Sequence, residues 1–218
     1  MPIWETEFDF GITGIASDFH QDWALGFADA GSLVAEYLAA EHGAPLVCAL
    51  ELDASSLARS TLPDSWLSDL WNASTDGYHS LSPGSSGGRA WMAEVADLAQ
   101  QRLRQLHGPG EAEGHRTVQT ADRRNLADVT RLIESLAPHL ETSVGRYWRH
   151  IAVPRNLHTT LVECADVVSP ELAFRFLHRI LVAGSGGVDS EALATMRRLG
   201  RCFDYGEFML SDIESMAR

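Results

Sequence analysis

His20, Gln21 and Asp22 set a base, an amide and a carboxylate side by side inside the run DFHQDW (18–23), between the rings of Phe19 and Trp23. Such a trio could form a hydrogen-bonded cluster or a contact for a protein partner. Phe19 and Trp23 stand four apart, which predicts that both pack inward. The three polar residues between them are read as a hydrogen-bond cluster that fixes the first loop. Elsewhere the ingredients of catalysis lack an arrangement. His139, His150, His158 and His178 share one half of the chain with Glu163, Asp166 and Glu171, yet no two of these histidines are four apart and no Glu-x-x-His occurs. A helical zinc or di-iron site needs that spacing to bring its ligands onto one face. Cys48, Cys164 and Cys202 form no CxxC pair and are odd in number, so three separate buried thiols are expected. There is no GxSxG. No catalytic residue, metal or cofactor is assigned.

Charge is unevenly divided. Residues 1–114 hold 17 Asp plus Glu against four Arg, and residues 115–218 hold 13 acids against 13 Arg, so the net charge of −13 belongs to the first half. No Lys occurs anywhere. An acidic surface repels nucleic-acid phosphates and anionic lipid, and it attracts and steers basic proteins. The composition, 45 % apolar and 22 % charged, is that of a globular protein with a real core. Neither a signal peptide nor an apolar run long enough for a membrane span is visible, which places the chain in the cytosol as an expectation.

The elements that must position these residues read as helices. Leu33, Val34, Tyr37 and Leu38 form a stripe over 32–42, with Gly43 expected as a left-handed cap. Leu46, Val47, Leu50 and Leu57 mark 44–60, and Pro63 precedes the stripe Trp66, Leu67, Leu70, Trp71. After the turn-rich stretch 72–88, Trp91, Val95, Leu98 and Leu106 mark 89–106, with Arg102 interrupting the line. The segment HGPGEAEGH (107–115) is the best linker and coincides with the charge break. Thr120 is expected to cap a helix that Pro138 ends or kinks. Arg146, Tyr147, Trp148, Arg149 and His150 form a cluster read as helix packing rather than base stacking. Helices are further predicted over 155–168, from Ser169-Pro170 to Gly184, from Asp189 to Leu199 with Gly200 behind, and over 205–217. Strand alternation survives only near 4–10. The fold class is all-α, a bundle of roughly nine helices in two packed halves, 1–107 and 115–218.

DFHQDW followed by ALGFADAGSLVAEYLAAEHG resembles the opening of CdiI-type immunity proteins of bacterial contact-dependent growth inhibition systems. LVCALELDASSL is similar to that family's second helix, and YHSLSPGSSGGRAWMAEVADLAQQRL to its closing segment. The likeness covers residues 16–106; the Tyr78 loop is longer than in the family pattern, and 115–218 has no counterpart. It implies a protein that binds and neutralises a cognate toxin domain, commonly a nuclease whose basic cleft an acidic inhibitor would fill. Because partners differ within such a family, the motif is assigned to the fold and recognition to the acidic face. Its candidates are Asp18, Asp29, Glu36, Glu41, Asp64, Asp69, Asp76, Glu94 and Asp97. The expected partner is therefore a basic protein, with neither nucleic acid nor membrane, and a homo-oligomer stays open.

A rival reading rests on SGGVDS (185–190), which is similar to the phosphate loop of ATP-dependent adenylating enzymes. There Ser185, Gly186, Gly187, Asp189 and Ser190 would present backbone N–H groups to phosphate. That loop follows a strand in its family, whereas FRFLHRILVAG reads as the end of a helix. The run PGSSGG (83–88) is read as a flexible, cap-rich loop. An all-α accessory or oligomerisation protein is the plainest third possibility.

Overall fold

Gly11 stands at the head of the first helix with φ +62, and a Cβ there would lie 2.0 Å from Asp53 Oδ2. Only glycine admits both the left-handed backbone and that approach. From it the computed structural model, which describes residues 8–40, 43–81, 87–107, 123–147, 156–184, 188–206 and 208–216, unfolds as helices joined by short turns. They are α1 (Gly11–Asp18), α2 (Trp23–Gly26), α3 (Ala30–Ala39), α4 (Ala44–Arg59), α5 (Asp64–Ser74) and α6 (Gly88–His107). A 3₁₀ turn (Arg123–Asn125) leads into α7 (Leu126–Tyr147), α8 (Leu157–Val167), α9 (Pro170–Ala183), α10 (Ser190–Cys202) and α11 (Ser211–Met216). Among the described residues there is no strand, so the all-α expectation holds. The count exceeds the rough nine because α1 and α2 are short, at eight and four residues.

Local chemistry sets most boundaries. Asp29 caps α3 by accepting from Ser32 N at 2.7 Å, Ser169 caps α9 from Leu172 N, and Asp189 caps α10 from Ala192 N at 2.8 Å. Pro170 occupies the first turn of α9, where its missing N–H costs nothing. Three boundary expectations are corrected. Gly43 has φ −61 and heads α4 instead of closing α3 in the left-handed region. Gly200 lies inside α10; the left-handed residue that ends that helix is Asp204 (φ +60), with Tyr205 N donating back to Gly200 O at 3.0 Å. Asp76 (φ +49) ends α5 the same way, with Gly77 N donating to Asn72 O at 2.9 Å. Both are six-to-one closures in which Asp tolerates the position usually given to glycine. Pro138 does not end its helix, since α7 continues to Tyr147. It stands on the exposed side, where water can serve the backbone group that proline leaves without a helix partner.

In the first half α4 packs chiefly on α6, with α3 and α5 also against α6; in the second, α7, α8 and α9 pack on one another. α1 and α5 touch α9, and α5 touches α8, so the two halves share an interface. The buried cluster runs without a break in membership from Ile12 through Leu50, Trp71 and Val95 to Phe176 and Ile213. The linker at 108–115, the cap expected at Thr120 and positions 4–7 lie outside the described residues, as do 82–86 of the Gly-Ser-rich loop and Trp148–His150.

Candidate functional site

Phe19 is the anchor of DFHQDW. It is 1 % exposed and stacks on His79 with ring centroids 4.7 Å apart. Trp23, Trp71 and Trp91 meet it edge-on at 5.2, 5.3 and 6.1 Å. These are the tilted geometries that ring quadrupoles favour. Trp23 is half-buried and donates its indole N–H to Tyr78 O at 2.8 Å, which binds the motif to the loop after α5. His20, Gln21 and Asp22 are all exposed. Their hydrogen bonds are local: Asp22 N donates to His20 Nδ1 at 3.2 Å, and Gln21 Nε2 reaches Asp22 Oδ2 at 3.4 Å.

Four of the five rings in this box come from positions that the sequence reading placed in apolar stripes or the motif. The fifth, His79, was not singled out. Its Nδ1 accepts from Trp71 Nε1 at 3.0 Å. Indole nitrogen only donates, so Nδ1 carries no proton and the neutral ring holds its hydrogen on Nε2. Burial pushes the imidazole down to about 4, because a charged ring inside this box has lost its water and gained no counter-charge. Protonation would also set two donors against each other at the Trp71 contact.

A second polar group lies where α1, α4 and α9 meet. Arg175, 1 % exposed, pairs in a fork with Asp53: Nη1 to Oδ2 and Nη2 to Oδ1, both at 2.7 Å. Its Nε donates to Glu171 Oε1 at 2.8 Å, Nη1 also donates to Phe10 O, and the guanidinium lies 4.4 Å from the Phe10 ring centre. Ile12 N donates to Asp53 Oδ2 at 3.0 Å, so that carboxylate also serves the N-terminus of α1. Tyr205 donates its hydroxyl to Glu171 Oε1 at 2.7 Å. Burial works against charge at Arg175, but Asp53 and Glu171 overcome it and hold the guanidinium protonated far above its ordinary range. At Asp53 burial is the larger effect and raises the carboxyl against the pull of Arg175. The network joins the acidic half to the neutral one. Sequence carried a signal for it: Asp53 falls on the Leu50–Leu57 stripe, where a charge needs a partner.

The acidic candidates divide by use. Asp29 is an α3 cap, its carboxyl held low by the Ser32 backbone N–H and hydroxyl. Asp64 accepts from Arg89 N at 2.8 Å, while the Arg89 guanidinium binds the carbonyls of Ala58, in the last turn of α4, and of Ser60 and Leu62 just past it. Asp69 is half-buried and its carboxyl is raised by that burial. Asp76 closes α5. Asp18, Glu36, Glu94 and Asp97 are exposed, and Glu41 lies outside the described residues. Two candidates converge: a Cβ at Gly31 would stand 3.2 Å from Glu94 Oε1 and 3.5 Å from Asp29 Oδ1. Glu94 and Asp97, one turn of α6, then line an open groove of about 780 Å³ with Ala90, Ala93, Leu98, Gln101 and Arg104. Glu36, Glu94 and Asp97 make no ion pair among the described residues. The second half differs, pairing Arg123 with Asp166, Arg131 and Arg198 with Asp128, and Arg197 with Glu214.

Ser185, Gly186 and Gly187 of the phosphate-loop reading lie outside the described residues. What precedes them is helix α9, where that reading requires a strand, and Asp189 is engaged as the cap of α10. The thiols are not alike: Cys164 is buried and pushed up to about 12 by that burial, Cys48 is half-buried, and Cys202 is exposed, which corrects the expectation of three buried ones. Among the described residues no group of three His, Cys, Asp or Glu side chains could hold a metal ion, and no helix is long and apolar enough to cross a membrane. Compared with protein-family models, with curated proteins and with solved structures, the chain matches none.

Proposed function

We propose that this protein binds and neutralises a basic protein in the cytosol, in the manner of an immunity protein toward its toxin domain. The observation that carries the reading is the approach of both Asp29 and Glu94 to Gly31, continued by Asp97 along α6. Carboxylates gathered this way repel one another and lower the stability of the free protein slightly. A cationic partner relieves that repulsion, so the patch favours the bound state. The second half pairs several of its carboxylates with arginine, whereas Glu94 and Asp97 make no ion pair among the described residues, although Arg104 lines the same groove.

The test is growth rescue on co-expression with the toxin domain encoded beside the gene, together with binding measured against salt. Rescue is expected, with affinity falling as salt rises. The combined variant Asp29→Asn, Glu94→Gln, Asp97→Asn should slow association about ten-fold or more and flatten the salt dependence; Asn at position 29 still caps α3. Absence of both binding and rescue by the unaltered protein overturns the reading.

A further inference from the structure

Leu25 is 87 % exposed, the most exposed of the large apolar side chains among the described residues. A single exposed leucine is ordinary; its setting is not. It belongs to α2, four residues with no fully buried member, which touches the core through Trp23. The segment is nonetheless held firmly from beneath. Phe19 and Trp23 are seated in the aromatic box, and the Trp23 indole is bonded to the Tyr78 carbonyl. Tyr78, whose carbonyl takes that bond, is itself 39 % exposed.

Acidic residues flank this apolar tip along the chain. Asp22 and Asp29 are exposed, before and after Leu25 in the chain, and Asp29 approaches Gly31 as Glu94 does. Residues 1–58 contain no Arg or Lys at all, so no cation of that segment answers them. A rigidly backed apolar side chain inside an acidic rim has the form of a binding hot spot, in which a desolvated centre supplies affinity and rim charges supply steering.

We propose that Leu25 and Tyr78, rimmed by Asp22 and Asp29, form the apolar anchor for the basic protein partner, entering a pocket on that partner edged by arginine or lysine. The inference rests on the function proposed above and assigns its contact surface. It also gives the exposed half of DFHQDW a second use: Phe19 and Trp23 hold the fold, and what lies between and after them is presented outward.

Leu25→Asp and Tyr78→Ser are made singly in the full chain and titrated by calorimetry with the purified toxin domain encoded beside the gene. Each variant's thermal melt is recorded beside that of the unaltered protein. Melts within a degree or two of each other are expected for Leu25→Asp, with affinity roughly 30-fold weaker or more, as for the loss of a hot-spot side chain. Equal affinity of both variants and the unaltered protein overturns the surface assignment and leaves the immunity reading standing. A concentration-dependent dimer in sedimentation that Leu25→Asp disperses also overturns it, since the tip would then seat a second copy. Failure of the unaltered protein to bind the domain removes the function and this surface together.

Discussion

Asp53–Arg175 and His79 are both polar groups enclosed by apolar side chains, and the fold treats them in opposite ways. The arginine keeps its charge because two carboxylates and a backbone carbonyl reach it. The histidine loses the capacity for charge because its neighbours are Phe19, Trp23, Trp71 and Trp91. His178, 3 % exposed and likewise pushed down to about 4 by burial, follows the second pattern. Interior charge is held only where its counter-charge is built beside it. The ionic junction crosses between the halves, whereas the aromatic box lies wholly in the first and supports the loop that carries the exposed motif residues. One region fastens the molecule; the other shapes its surface.

The strongest way to break this contrast is Asp53→Ala. It leaves a buried guanidinium without its fork and strips the acceptor from Ile12 N, so a loss of about 3–5 kcal/mol is expected in chemical denaturation. Arg175→Met combined with Asp53→Leu should recover much of that loss, because the cost lies in the unpaired charge. Recovery near zero would mean that the pair specifies the junction by geometry as well.

Acid separates the two regions more gently. In the unfolded chain His79 takes up its proton near 6.5, while in the fold it does so only near about 4. Between those values the unfolded state binds the extra proton, so stability falls as pH drops through that window and the loss is complete by about 4. The His79 share is about 2–3 kcal/mol, read as the difference in pH dependence between the protein and His79→Gln. A proton NMR titration that finds His79 ionising near 6.5 in the folded protein would remove this account.

The smallest expected effect belongs to Phe19→Leu. It keeps an apolar side chain in the box and forfeits ring contacts with His79 and three tryptophans, for about 1–2 kcal/mol in thermal unfolding. Fluorescence of Trp23 should shift toward that of a solvated indole if Phe19 positions α2. An unchanged spectrum would show that the Trp23–Tyr78 bond suffices.

Helices were readable where the signal was local. Ser169-Pro170 and Asp189 announce their helices because a cap needs only the next three residues. Misreadings arose where one residue type serves two ends. Gly43 begins a helix and Gly200 sits within one, while aspartates took the left-handed closures at 76 and 204. Pro138 was overruled because the α7 face bearing Val129, Ile133 and Leu136 is held by burial worth more than one missing hydrogen bond. Of the acidic candidates, four turned out to hold helix ends or sit half-buried, and type and exposure pattern do not separate these from Glu36, Glu94 and Asp97.

By itself the sequence determined the helical class, the acid surplus of residues 1–114 and the inward role of Phe19, since periodicity, composition and ring burial are properties of short stretches. Tertiary structure alone decided that Arg175 answers Asp53, that His79 completes the aromatic box and that Asp29 and Glu94 both approach Gly31. Each joins residues far apart in the chain, and their attraction or repulsion has meaning only once folding has set the distance and removed the water between them.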